Sequence, residues 1–330
     1  MTTRTCRIAA CLAAVLALAS CSRPETPAGG PRKVTLQLNW KAEPEFGPFY
    51  AAEVGGHFRD EGLDVELRQG GSGAPTTDLL ATKQVEFAVV SADQVVIARS
   101  VGKKIVGIFA VYQKDPMCLM THEARKLATL ADVVHAPGTL AMERGMPFAL
   151  WIGKTIGYGP ARIVPSPYGD LKYLQGDPDY AMQAFATSEP IAAKRLGIDV
   201  AVYLVADAGF NPYQTVLAVH EDTLHKDPDL VVKMLKAVTA GWRDYLADPA
   251  PTNAVMARAN PTMDAATFAA VAEAQKPHVV SDETTSRGPG TMTEARWKTL
   301  VEQMRTAGVV RDPVDAAACF RDPVNLLAGR

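Results

Sequence analysis

The chain has 330 residues, of which 48% are hydrophobic and 21% charged, and its formal net charge is -2 at pH 7. That length supports two domains with well-buried cores, and the near-neutral balance argues against a nucleic-acid partner. Beyond the N-terminus, no segment reaches the ~20 apolar residues that a membrane-spanning helix needs.

The opening "MTTRTCR" carries Arg4 and Arg7 and no acid, and an apolar run from Ile8 to Ser20 follows. A charged start before a short apolar run is the pattern of a secretory signal. The run ends in Leu18-Ala19-Ser20-Cys21, which resembles the lipobox of bacterial lipoproteins. The resemblance implies that residues 1–20 are a signal peptide and that Cys21 carries lipid. A plain signal peptide with a coincidental cysteine is the alternative. Residues 21–32, rich in Pro, Gly and polar side chains, read as an anchor and flexible tether. Removing residues 1–20 leaves 32 basic and 36 acidic residues, a net charge of -4. Cys118 and Cys319 are then the only cysteines in the body of the chain. Two cysteines make no disulfide framework, and two buried free thiols are the simpler reading.

In "KVTLQLNW", Val34, Leu36, Leu38 and Trp40 alternate with Thr35, Gln37 and Asn39, which predicts a strand. After a loop, Gly47-Pro48 opens a helix expected to run to about Phe58. "GLDVELRQGG" predicts a second strand, "TTDLLATKQ" a short helix and "VEFAVVS" a buried strand of a parallel sheet. "SADQVVIARSVG" predicts a helix with Ser91 and Gln94 spaced as a capping box, and "KKIVGIFAVYQ" another strand. In the second half, residues 138–157 read as a turn and a helix, and "ARIVPSP" as a strand. "DPDYAMQAFAT" reads as a helix from about Pro178, and "VAVYLVA" as a strand. "AGFNPYQTVLAVH" reads as a loop entering a strand. Leu230, Val231, Met234, Leu235, Val238, Trp242 and Leu246 recur at helical spacing in the long helix that follows. The C-terminal third is helical, "TEARWKTLVEQMRTAGVV" most plainly. Strands alternating with helices in this rhythm indicate an α/β fold with mainly parallel sheets.

"LQLNWKAEPEFGPFYAAEVGGHFRDEGLDVELRQGG" and "VEFAVVSADQVVIARSVGKKIVGIFAVYQ" resemble the opening blocks of periplasmic binding proteins of the nitrate, sulfonate and thiamine-precursor group. "QAFATSEPIAAKRLGIDVAVYLVADAGFNPYQTVLAV" resembles the branch that binds the pyrimidine precursor of thiamine. The resemblance spans about residues 33–325. It implies a two-lobed type II periplasmic-binding-protein fold, each lobe a mainly parallel sheet flanked by helices. Lobe one would be residues 33–113 plus 214–330, and lobe two residues 114–213, with crossovers near "QKDPMC" and "GFNPYQ". A ligand would lie between them, beyond the carboxyl ends of the strands, with hinge closure around it. The implied protein is a monomeric, lipid-anchored receptor, exported to the periplasm or cell exterior. It would deliver a small-molecule ligand to an ABC permease and need neither cofactor nor metal.

Expected ligand contacts fall near the strand ends and crossovers. Trp40 would cover a flat ring, and Glu43 would accept hydrogen bonds from an amino group or protonated ring nitrogen. Asn39, Phe46 and Tyr50 flank them, with Glu45 a further acid in the same loop. The competing reading puts the aromatic residues in the core and leaves the acids solvated near a helix N-terminus. Ser72 lies in the glycine turn of residues 70–75, whose free N–H groups suit an acceptor. Ser91 and Asp93 start a helix, where a capping box explains Ser91 and Gln94 equally well. Tyr112 sits at the first crossover, Asn211 and Tyr213 near the second, and Tyr168 after a strand. Glu189 matches the family position that contacts the pyrimidine. Ser188 replaces the branch's more usual Asn, which removes a paired donor and acceptor.

An oxyanion such as a sulfonate or nitrate, and riboflavin or another larger heterocycle, are alternative ligands. A pyrimidine-synthesis enzyme is the alternative of another class. The fungal relative of this fold carries a cysteine-rich motif that this chain lacks. The six histidines are scattered, so no metal site is expected.

Overall fold

The computed structural model describes residues 30–329; the leader, Cys21 and most of the tether lie outside the described residues. Val34 and Leu36 face a closed core through the alternation of residues 33–37, and together these residues build the strand β1 (Arg32–Gln37). The last tether position is thus already strand. The remaining strands are β2 (Leu63–Arg68), β3 (Phe87–Val90), β4 (Ile105–Tyr112), β5 (Met117–His122), β6 (Thr139–Ala141), β7 (Arg162–Val164), β8 (Tyr180–Phe185), β9 (Val200–Leu204) and β10 (Gln214–His220).

They form two five-stranded sheets, in the orders β2-β1-β3-β10-β4 and β7-β6-β8-β5-β9. In the first, β1 pairs in parallel with β2 and β3, while β10 runs antiparallel between β3 and β4. In the second, β6 pairs in parallel with β7 and β8, while β5 runs antiparallel between β8 and β9. Four strands of each sheet therefore point one way. The fifth is the strand that enters from the other sheet: β4 leads into β5, and β9 into β10. Both crossovers leave the carboxyl end of one sheet and enter the other at the same end. The strand ends that face a ligand in open α/β sheets are thereby brought together. The helix Glu294–Thr306 packs against helices of both sheets, through a core that includes Trp151, Trp297, Leu300 and Met304.

Four elements differ from the patterning. The helix after Pro48 stops at Val54; Gly56, at φ 77°, turns the chain into a separate helix, His57–Asp60. Residues 180–185, expected as a helix, are the central strand β8. Tyr180, Ala181, Met182 and Ala184 are all buried, because neighbouring strands and helices cover both faces. A short continuous apolar run carries no period that distinguishes strand from helix, and here tertiary context overrides the helix preference of Ala and Met. The patterning also gives no notice of β5 and β6. Trp40 does not share the strand alternation, because β1 ends at Gln37 and Trp40 lies in the bend beyond it.

The long helix Pro228–Ala247 buries Leu230, Met234, Leu235, Val238 and Trp242 and crosses the helix Gly47–Val54 at Gly241. A Cβ at Gly241 would stand 2.4 Å from the Ala52 nitrogen and 2.5 Å from the Pro48 oxygen, both backbone atoms that cannot swing away. In an exposed helix Gly→Ala stabilises by roughly 0.5–1 kcal/mol; here the sign reverses. Gly241→Ala should destabilise by about 2 kcal/mol or more, read as a lower urea midpoint at an unchanged slope.

Candidate functional site

Between the carboxyl ends of the two sheets lies a cavity of about 540 Å³, the size range of small-molecule sites. The first sheet contributes the loop after β1 (Asn39, Trp40, Lys41, Glu43, Glu45), Tyr112 at the end of β4, and Gln214 and Thr215 at the start of β10. The second contributes Met117, Gln183, Phe185, Thr187 and Glu189, with Ser166 and Tyr168 from the loop after β7. Thr262, Asp264 and Thr267 lie at the rim.

The loop after β1 is held by side-chain amides from distant segments. Gln69 Oε1 accepts from the Ala42 N–H at 2.7 Å, Asn260 Nδ2 donates to the Ala42 carbonyl at 3.1 Å, and Gln275 Nε2 donates to the Pro44 carbonyl at 3.2 Å. Gln275 Oε1 also accepts from the Tyr112 hydroxyl at 3.2 Å. Three side chains thus fix the loop's shape before any ligand enters, which lowers the ordering cost of binding. Tyr112 meets Phe185 of the other sheet edge to face, with centroids 6.4 Å apart.

Three carboxylates converge here. Burial pushes Glu43 up to about 7; Glu189 adds to the rise, and the Trp40 side chain offsets part of it. Burial pushes Glu45 up to about 8, with Glu43 and then Glu189 adding to it. Burial also raises Glu189, against the pull of its hydrogen bond from the Phe185 N–H at 2.7 Å. Glu43 and Glu45 keep some surface open to the cavity, yet its walls take most of their water away. Lys41 is the only cationic side chain on the wall, and it weighs least on Glu43. The Asn39 Oδ1 is buried with no hydrogen-bond partner among the described residues. Such a wall of acceptors beside aromatic faces suits a flat ligand that carries N–H donors or positive charge. Two wall residues also hold strained backbone: Thr215 at φ 50° and Tyr168 at φ 49°, the left-handed region that non-glycine residues rarely occupy.

Of the expected contacts, Asn39, Trp40, Glu43, Tyr112, Tyr168 and Glu189 come together on this wall. The others do not. Phe46 and Tyr50 turn into the core of the first sheet, because the helix that starts at Gly47 faces that core. Ser72 is exposed and off the wall. Its turn supports the loop from behind: the Gly70 N–H donates to the Trp40 carbonyl at 2.9 Å, and a Cβ at Gly70 would stand 2.4 Å from the Leu38 oxygen. Ser91 and Asp93 are spent on capping: Gln94 Oε1 accepts from the Ser91 N–H at 3.0 Å, Ser91 donates to Asp93, and Asp93 accepts from the Gln94 N–H at 2.8 Å.

Asn211 and Tyr213 clamp the crossovers instead of facing the cavity. Asn211 Oδ1 accepts from the Asp115 N–H at 2.8 Å and from Arg296 at 3.0 Å. The Arg296 guanidinium lies 3.9 Å from the centre of the Tyr213 ring. The Asp115 carboxylate accepts from the Met117 N–H at 2.8 Å.

The wall also holds residues that no local signal marks: Gln183 and Phe185 in a segment expected as helix, Gln214 and Thr215, and the rim around Asp264. A broader hollow of about 640 Å³ surrounds His122, Lys126, Gln175 and Asp199. It draws on the second sheet alone, at the wrong end of the parallel strands for a ligand between sheets, and no aromatic residue lines it.

A model of the NMT1/THI5-like family matches residues 43–252. The riboflavin-binding protein RibY of Chloroflexus aurantiacus is 26% identical, over 93% of each chain. A 4-amino-5-hydroxymethyl-2-methylpyrimidine phosphate synthase of Saccharomyces cerevisiae is 22% identical, over 66% of this chain and 68% of its own. Among solved structures, the periplasmic aliphatic sulphonate binding protein SsuA of Escherichia coli superposes with a TM-score of 0.65 at 13% identity, covering 88% of this chain and 92% of its own. The periplasmic nitrate-binding protein NrtA of Synechocystis PCC 6803 gives 0.62 at 13% identity, covering 91% and 89%. The fold is accordingly the two-lobed type II periplasmic-binding-protein fold, one lobe around each sheet.

The raised carboxyls set a pH dependence. Their folded pKa values lie above the ordinary 4.5, so between about pH 4.5 and 8 the native state holds more protons than the unfolded chain. Stability then falls as pH rises through that window. At 1.36 kcal/mol per unit, discounted for water in the open cavity, the pair should cost about 3 kcal/mol by pH 8. Thermal unfolding of the ligand-free protein should show a lower midpoint at pH 8 than at pH 5, and Glu45→Gln should shrink the difference.

Proposed function

The chain belongs to the NMT1/THI5-like family, and we propose that it is the substrate-binding protein of an ABC importer. On this reading it is exported and holds a small aromatic heterocycle bearing N–H donors between its lobes for transfer to a permease. The observation that carries the reading is the convergence of Glu43, Glu45 and Glu189 from both lobes on one cavity beside Trp40. An aminopyrimidine offers a flat face to Trp40 and amino hydrogens to the carboxylates. A sulfonate or nitrate would need a cationic or donor-rich wall, and three acids with one exposed lysine supply the opposite. The synthase reading has little support from the chain's cysteines: Cys118 and Cys319 are both buried, in separate cores.

Riboflavin is the second reading. The cavity, at about 540 Å³, has room for roughly eighteen waters at ~30 Å³ each, more than a single six-membered ring needs. RibY, the riboflavin-binding relative, aligns along 93% of both chains. A fused ring system would still present N–H and hydroxyl donors to the same carboxylates.

Thermal-shift titration decides between these. The panel is 4-amino-5-hydroxymethyl-2-methylpyrimidine, its formylamino precursor, riboflavin, an alkanesulfonate and nitrate. A bound ligand at ~100 times its Kd should add about 2.7 kcal/mol of stability. Trp40→Ala and Glu189→Gln should each abolish the shift with the heterocycle. A shift with sulfonate or nitrate alone would overturn the proposal.

A further inference from the structure

Besides the two crossovers and the core shared through the helix Glu294–Thr306, one ion pair joins the lobes at the cavity rim. Arg195 ends the helix Glu189–Arg195 of the second lobe. Its guanidinium meets Asp264 of the first with two nitrogens: Nη1 donates to Oδ1 at 2.7 Å, and Nη2 lies 2.7 Å from Oδ2 in the ion pair. Nη1 also donates to the Thr267 hydroxyl. Among the described residues, no other ion pair links an element of one sheet to an element of the other. Lys114–Asp207, at 2.6 Å, ties one crossover to the other.

Both partners are tied to the cavity wall. Asp264 caps the helix Ala265–Ala274 by accepting from the Thr267 N–H at 2.8 Å, and Asp264 and Thr267 line the rim. Arg195 stands at the far end of the short helix that begins with Glu189. A movement of that helix therefore shifts the cavity carboxylate and the ion pair together.

We propose that Arg195 and Asp264 form a latch that holds the lobes closed, with Arg195 a positioning residue that sets how long a ligand stays rather than which ligand is chosen. A two-nitrogen fork on one carboxylate fixes orientation as well as attraction. The pair is about half exposed, so water and salt screen it. A weak contact suffices, because open and closed forms of a hinged protein differ little in free energy and a small bias moves the population.

The ligand-release part rests on the receptor reading; the closure part does not. Spin labels at Val54→Cys and Val202→Cys, exposed positions on opposite lobes, report lobe separation by pulsed electron resonance without any ligand. The two native cysteines are buried. Arg195→Gln should move the distance distribution outward. Asp264→Asn, which keeps a good helix cap, should do the same, and the double variant should go no further than either. Release of the panel compound that binds, riboflavin or 4-amino-5-hydroxymethyl-2-methylpyrimidine, should quicken about two- to fivefold. The wild-type advantage should shrink between about 0.05 and 0.5 M salt. An unchanged distance distribution in Arg195→Gln overturns the latch whatever the ligand does. If neither compound binds the wild type but the distances move, the latch stands and the heterocycle reading fails.

Discussion

Each sheet of this molecule is completed by a strand returned from the other, and the arrangement of everything else depends on that exchange. β5 enters the second sheet from β4, and β10 enters the first from β9. Because each imported strand runs against its neighbours, the two crossovers lie at the end where the other strands finish. The cavity must therefore form there, and the crossovers must hold its geometry. That explains the dense pairing of several polar groups near them, although the buried Gln113 Oε1 has no partner among the described residues. Asn211 joins one crossover to the other through Asp115, and Arg296 bolts Asn211 to the helix Glu294–Thr306 while stacking on Tyr213. A buried amide or carboxylate left without partners at this point would cost more than the contact gains.

What was legible in the sequence followed this logic unevenly. β1 and the long helix Pro228–Ala247 carry their own period, so local pattern and final structure agree. The loop after β1 could be read as a cleft element because a strand end, an aromatic and acids stand within six residues. Six of the thirteen expected contacts reach the cavity, and those from this loop are Asn39, Trp40 and Glu43. Phe46 and Tyr50, in the same stretch, do not. The helix they start has its own core-facing side, and sequence proximity to a site says nothing about which side a ring takes.

The failures have a common physical cause. β8 is covered on both faces and so loses the alternation that marks a half-buried strand. Gln183, Phe185 and Gln214 reach the wall only through the pairing of strands far apart in the chain. Asn211 and Tyr213 sit at a crossover but tie chain segments together there rather than lining the cavity. A polar side chain at a hinge can face the ligand or tie the two chain segments together. Only the position of Arg296, more than eighty residues away, decides between these. Ser91 and Asp93 show the same ambiguity resolved locally: a capping network uses the groups a ligand would need.

The electrostatics of the cavity then bear on closure itself. Bringing the second lobe toward the first moves Glu189 toward Glu43 and Glu45, and Glu189 already raises the proton affinity of both. Empty closure at neutral pH must take up protons or tolerate like charges at close range. A ligand whose N–H groups face the carboxylates removes that penalty, so the acids make closure conditional on what fills the space. Arg195 and Asp264 act in the opposite sense at the rim, where attraction between lobes is indifferent to the ligand. On the proposed function, the balance of an internal repulsion that a ligand relieves and an external attraction that it does not affect would give a receptor that closes when loaded. Because Glu43 and Glu45 titrate near neutrality while the rim pair does not, lowering the pH would favour empty closure. Discrimination between full and empty states is then sharpest where the carboxyls are ionised.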